Sequence, residues 1–266
     1  NITDFPDEIL AKILMILFGI CSMTDLLATR SVCNKWRSIC KSESIIKNLK
    51  LSIKQRSFNF ETIEDWKVNE QIPFDIFDKY YEVNLLHTQT TDVSALGNVH
   101  TLNLSVCEKV TDVSTLGDVH TLDLSFCRQV RDVSALGKVF ALDLTANPVT
   151  DVSALGNVYI LKLSDCRQVR DVSALGNVHT LNLSDCLQVR DVSALGNVHT
   201  LDLSFCSQVR DVSALGNVHT LNLWSTEVTD VSALGNVHTL DLRGTEVRDV
   251  SALGNVYILK LSDCRQ

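Results

Sequence analysis

Apolar side chains along the second two-thirds of the chain keep a single rhythm. From Val172 they fall at Leu175, Val178, Leu181, Leu183, Cys186, Val189 and Val192, in steps of 3 with one step of 2. Only an extended chain puts residues i and i+2 on one face, so Leu181-x-Leu183 predicts a short strand. Steps of three suit tight turns, 3₁₀ segments or polyproline-like chain and leave no room for a full α-helix. The rhythm itself repeats. The phrase Asp-Val-Ser-(Ala/Thr)-Leu-Gly starts at Asp92, Asp112, Asp132, Asp151, Asp171, Asp191, Asp211, Asp230 and Asp249, at intervals of 19 or 20 residues. So short a period predicts a solenoid of single coils. Nine strands stacked at about 4.8 Å would make a parallel sheet on the order of 40 Å long, over one column of Leu and Val.

The two unit lengths differ at one corner. Units of 20 residues read Leu-x-x-Cys-x-x-Val, as in Leu183-Cys186-Val189, whereas units of 19 read Leu-x-x-(Asn/Thr)-x-Val, as in Leu144-Asn147-Val149, Leu223-Thr226-Val228 and Leu242-Thr245-Val247. A buried Asn or Thr can hydrogen-bond backbone left open by the turn, while Cys is expected to act mainly as a small hydrophobe with a weak donor. Residues 80–91 read as a degenerate earlier unit around Val83 and Leu85, and Ile46-x-x-Leu49-x-Leu51 as another candidate. The stretch near 54–78 shows no repeat pattern and is assigned only a capping or linking role.

The core Val178-x-x-Leu181-x-Leu183-x-x-Cys186 and its eight counterparts resemble the leucine-rich repeat family across residues 92–266. That resemblance implies a parallel sheet on the concave face and short 3₁₀ or irregular convex segments.

Residues 4–40 carry a different pattern. Asp4 or Asp7 can cap a first helix with Pro6 in its first turn, and Ile9, Leu10, Ile13, Leu14 and Leu17 recur at steps of three and four. Thr24-Asp25 can cap a second, followed by Leu26, Leu27, Val32, Cys33 and Trp36. About 40 residues cannot bury this much apolar surface alone, which suggests a partner surface. Phe5-Pro6-Asp7-Glu8-Ile9-Leu10, Ile13-Leu14, Asp25-Leu26-Leu27 and Val32-Cys33-Asn34-Lys35-Trp36-Arg37 resemble an F-box. The resemblance implies docking on the Skp-type adaptor of a cullin-RING (SCF) ubiquitin ligase through Phe5, Pro6, Ile9, Leu10, Ile13, Leu14, Leu26, Leu27, Val32 and Trp36. The expected fold class is α+β: an F-box over 1–40, a linking and capping region with a degenerate repeat over 41–91, and repeats over 92–266. Near-identical units resemble F-box/leucine-rich repeat proteins of giant viruses and protists. Residues 151–168 and 249–266 are the same 18 residues, a sign of recent duplication.

Composition narrows the function classes. With 24 Lys+Arg against 32 Asp+Glu, a net charge of −8, no basic surplus is available for phosphates, and nucleic acid is not expected as a partner. The longest apolar run, Ile13–Cys21, is far short of the about 20 residues a membrane helix needs, so no membrane partner is expected. Asp4, Asp7 and Glu8 stand where a signal peptide would be cationic. Nine cysteines without CxxC pairs argue for reduced thiols. A cytoplasmic or nuclear protein is expected, in the host cell if viral. The chain starts at Asn1 and stops inside a repeat at Gln266, the expectation for a fragment.

Three columns of polar residues invite chemical readings. His100, His120, His179, His199, His219 and His238 precede the strands and could bind metal or titrate together, but Phe140, Tyr159 and Tyr257 fill the same slot and favour a tolerated surface position. The cysteine column reads as packing, and the Asp of Asp-Val-Ser as a turn cap assisted by its Ser. No nucleophile–base pair, phosphate loop or HExxH occurs, so no catalytic residues, cofactor or metal are expected. Between the core leucines one strand column runs Asn103, Asp123, Asp143, Lys162, Asn182, Asp202, Asn222, Asp241, Lys260. Near its end an aromatic and an Arg replace the usual small residues, which marks Asp202, Phe205, Asn222, Trp224, Asp241 and Arg243 as a target-binding patch. The expected function is substrate recognition in an SCF-type ligase; a non-catalytic scaffold or an adaptor-sequestering decoy is the alternative.

Overall fold

A computed structural model of the chain describes residues 57–59 and 82–262. Every unit forms one three-residue strand, and all strands are parallel neighbours in chain order. They are β1 (Ser57–Asn59), β2 (Glu82–Asn84), β3 (Thr101–Asn103), β4 (Thr121–Asp123), β5 (Ala141–Asp143), β6 (Ile160–Lys162), β7 (Thr180–Asn182), β8 (Thr200–Asp202), β9 (Thr220–Asn222), β10 (Thr239–Asp241) and β11 (Ile258–Lys260). The sheet thus has 11 strands among the described residues, two more than the nine intact units supply. The degenerate unit accounts for β2, whose Val83 is 1% exposed, with Leu85 beyond it fully buried. The other addition, β1, lies in the stretch that shows no repeat pattern. It pairs in register with β2, Phe58 opposite Val83. Ser-Phe-Asn lacks the Leu-x-Leu signature; it is extended because β2 offers an edge to pair with, a tertiary effect that local pattern does not carry.

The seven positions of the apolar rhythm form the core. In the unit from Val172, each of Leu175, Val178, Leu181, Leu183, Cys186 and Val189 is at most 1% exposed. The steps of three become 3₁₀ turns and tight corners. Leu175 donates to the Val172 carbonyl at 2.9 Å and Val178 to Leu175 at 3.1 Å, closing a 3₁₀ segment over Ser173–Asn177. Asp171 Oδ1 accepts from the Ser173 N–H at 2.9 Å, and the same bond recurs at 2.9 Å in all nine Asp-Val-Ser phrases. The expected cap is thereby present, and the Ser173 bonds hold the Asp171 carboxyl below its usual range. The glycine ending the phrase sits where coils touch most closely. A Cβ on Gly176 would lie 2.4 Å from the Ala194 carbonyl oxygen of the next unit.

The corner ladder links adjacent coils. Cys107, Cys127, Cys166, Cys186 and Cys206 are buried, yet each thiol donates to a leucine carbonyl of the preceding unit at 3.0–3.1 Å. Asn147 Nδ2 does the same, reaching the Leu124 carbonyl at 3.0 Å. Cysteine is therefore a small buried side chain whose weak donor is spent between coils. Thr226 and Thr245 instead turn inward, donating to Leu223 and Leu242 of their own units at 2.7 and 2.6 Å. Burial pushes the Cys127, Cys166 and Cys206 thiols up to about 12, so they stay protonated donors.

Candidate functional site: the exposed face of the sheet

From β2 to β9 each strand buries its central residue and leaves its two outer residues at least partly exposed. The outer residues make two columns, one mostly Thr and one of Asn, Asp and Lys. In most units the second column is a structural device. Asn103, Asp123, Asn182 and Asp202 accept from the backbone N–H two residues on at 2.8–2.9 Å, and Asp202 also takes the Ser204 hydroxyl at 2.6 Å. This bond stabilises the turn in which the third residue beyond the column takes a left-handed conformation, as at Asp185 (φ 59°) and Phe205 (φ 61°). A left-handed residue is ordinarily glycine, yet Gly244 (φ 68°) is the one glycine among the nine. The turn is thus held by the Asx bond and by backbone bonds to the next coil, such as Phe205 N–H to the Trp224 carbonyl at 2.8 Å, which frees the side chain there to vary.

Over β8 to β11 the variation gathers into one connected group. The Phe205 and Trp224 rings meet at 4.6 Å between centroids, tilted by 58°. Arg243 lies over the Trp224 ring at 4.9 Å, within reach of a cation–π interaction. Its guanidinium clasps Asp241 through Nε at 2.9 and 3.0 Å and Nη2 at 2.7 Å. Lys260 adds a second cation 3.6 Å from the same carboxylate. Burial would push the Asp241 carboxyl up, but the Arg243 bonds and the charges of Arg243 and Lys260 outweigh it and hold the carboxyl below its ordinary range. Trp224 remains 37% exposed, while Asp241 is only 5% exposed. Of the six residues anticipated for target contact, Phe205, Trp224, Arg243 and Asp241 are brought into one series. Asn222 supports it from below by accepting the Trp224 N–H at 3.1 Å. Asp202 stands apart, committed to Ser204. Lys260 joins the group although it was not anticipated; its position one period after Asp241 was the available signal.

The other edge of the face carries the histidine column, whose slot is uniformly aromatic. His100, His120, Phe140, Tyr159, His179, His199, His219, His238 and Tyr257 stack in one file with centroids 4.5–4.9 Å apart. Phe and Tyr, read in the sequence as evidence of an indifferent surface position, preserve the stack instead. Among the described residues no group of three or more His, Cys, Asp or Glu is arranged to hold a metal ion. Nor is any helix among them long and apolar enough to cross a membrane. The ten residues anticipated for adaptor docking, Phe5 to Trp36, lie outside the described residues.

Comparison with known proteins agrees with this division. Residues 2–52 match the family model described as F-box-like. The repeat region is similar in fold to an internalin (inlF) of Listeria monocytogenes, at 18% identity and a TM-score of 0.52, covering 70% of this chain and 67% of that one. Weaker likenesses are to the functional domain of InlJ from Listeria monocytogenes, which includes a cysteine ladder (19% identity, TM-score 0.42, covering 71% of this chain and 54% of that one), and to a leucine-rich repeat protein of Leptospira interrogans (14% identity, TM-score 0.42, covering 80% and 74%). No curated protein matches the chain. The chain thus joins a segment similar to the F-box-like family to a solenoid with the fold of leucine-rich repeats. F-box and leucine-rich repeat families are typically non-catalytic interaction modules.

Proposed function

We propose that this protein is the substrate-recognition subunit of an SCF-type ubiquitin ligase. The observation that carries the reading is the order of modules: an F-box-like match over residues 2–52 precedes a repeat array whose exposed face bears one distinctive aromatic and charged group. The F-box-like segment docks on a Skp-type adaptor and, through it, a cullin-RING ligase, with Phe5, Pro6, Ile9, Leu10, Ile13, Leu14, Leu26, Leu27, Val32 and Trp36 at the contact. The repeat face holds a target protein at Phe205, Trp224 and Arg243, beside Asp202, Asn222 and Asp241. Catalysis in such an assembly is proximity, because tethering raises the effective concentration of target lysines beside the charged ligase. The site of action is the cytoplasm or nucleus, of a host cell if the protein is viral.

The test is binding of a eukaryotic Skp-type adaptor in solution, measured by calorimetry, for the wild type and a folded variant carrying Pro6→Ala, Leu10→Asp and Leu27→Asp. Tight binding lost in the variant supports the reading; a folded wild type that fails to bind overturns it. Adaptor binding without ubiquitination of any captured target would leave the decoy.

A further inference from the structure

The aromatic file has no part in that function, and its histidines are not evenly spread. His179, His199, His219 and His238 are consecutive, with centroids 4.7, 4.6 and 4.5 Å apart and planes within 24° of parallel. Each ring comes from a different unit, so every stacking contact joins two coils. A neutral imidazole stacks favourably at this spacing, whereas two imidazolium rings repel. Parallel rings also direct their nitrogens side by side, and centres so separated do not converge on one ion with bonds of about 2.0–2.1 Å. The chemistry that remains is protonation.

The surroundings supply little to offset a positive charge. Tyr159 and Tyr257 close the two ends of the run. Nδ1 of His179, His219 and His238 lies 3.2–3.3 Å from the hydroxyl of the following threonine. Asn177, Asn197, Asn217 and Asn236 stand two residues ahead of the rings, where other units have Asp118 or Lys138. The charged groups of the adjoining strands and turns are engaged elsewhere: Asp202 with Ser204, Asp241 with Arg243 and Lys260, Lys162 with Asp143, and Asp171, Asp191, Asp211 and Asp230 with their serine N–H groups. Among the described residues none of the four imidazoles pairs with a carboxylate.

We propose that His179, His199, His219 and His238 form a proton-sensitive seam, which ties four coils together while the rings are neutral and loosens them in mild acid. Desolvation first, then the charges on His238 and His199, hold His219 below the ordinary imidazole value of 6.5. With the folded pKa lowered, the unfolded chain takes up the proton first. Stability is therefore full above 6.5 and is lost as pH falls from 6.5 through the depressed folded value. The capping carboxylates, held below 3.8, act lower still, so mild acid isolates the imidazoles.

The experiment compares thermal unfolding of the full chain at pH 7.5 and pH 5.0 with a variant carrying His179→Phe, His199→Phe, His219→Phe and His238→Phe. Phe140 already occupies this slot, so the stack accepts the ring. The wild type is expected to lose about 2–4 °C in Tm at the lower pH. The variant should lose less than half as much. An equal loss in the fourfold variant overturns the proposal. Should that variant fail to fold, proton NMR of the wild type decides: a His219 titration below 6.5 supports the seam, and an ordinary His219 titration overturns it.

Discussion

The units up to Cys206 and the units after it share one backbone but are joined differently. Through Cys206 each corner side chain, Cys or Asn, donates back to the preceding coil, so a line of buried hydrogen bonds crosses every junction from Leu85 to Cys206. At Thr226 and Thr245 the hydroxyl donates instead to the carbonyl of its own turn. The exposed face changes over the same units, where Ser gives way to Trp224 and Arg243. The lesson is that a solenoid tolerates two chemistries at its corner because either one satisfies the turn carbonyls. Only the Cys and Asn chemistry also couples neighbours.

The largest expected contrast tests how neighbour contact constrains the coil. Gly176→Ala drives a methyl into the Ala194 carbonyl and should cost about 1–3 kcal/mol in urea unfolding. Gly254, which has nothing within 4 Å of its ideal Cβ and an ordinary helical φ of −59°, should accept Ala neutrally or gain about 0.5 kcal/mol. Equal costs at the two positions would mean that the glycine is needed for the turn itself rather than for stacking.

A smaller effect separates the two corner types. Cys186→Ala removes the side-chain donor that reaches the Leu163 carbonyl from the next coil and should cost about 1–2 kcal/mol, with faster hydrogen exchange in both adjoining units. Thr226→Val keeps the backbone bond to Leu223 and should cost about 0.5–1 kcal/mol, with faster exchange confined to its own unit. If exchange spreads equally in both variants, the corner chemistry does not set coupling.

The smallest effect per residue belongs to the caps, which are alike on both sides of Cys206. Bonds from Ser173 and Ser232 hold the Asp171 and Asp230 carboxyls below 3.8, so the caps stabilise the fold above that value and lose their contribution as pH falls through the folded pKa. Asp171→Asn and Asp230→Asn should flatten the acid end of the stability profile by similar small amounts. A change that differs between the two would show that the caps are not equivalent.

Much of this arrangement was legible along the chain because a solenoid makes spatial neighbours of residues one period apart. Leu181-x-Leu183 announced the strand, the steps of three announced the 3₁₀ turns, and Asp-Val-Ser announced its cap. The conjunction of Phe205, Trp224 and Arg243 could be anticipated for the same reason, since a step of about one period is one strand across. Lys260 shares the strand column with Asp241, and only the fold shows its ammonium 3.6 Å from the Asp241 carboxylate. β1 was invisible because Phe58 is extended by pairing with Val83, not by its own neighbours in sequence.

Period and apolar spacing therefore specified the coil, the order of the strands and the face each residue occupies, all of which follow from local geometry repeated at short range. The direction of each polar bond was settled only by stacking: whether a corner side chain reaches back to the preceding unit or into its own, whether an Asp of the strand column faces a ligand or its own turn, and whether the histidines form one continuous file. Those choices depend on distances between coils of a few ångströms, set by Leu and Val packing beneath and by a glycine too small to hold the coils apart.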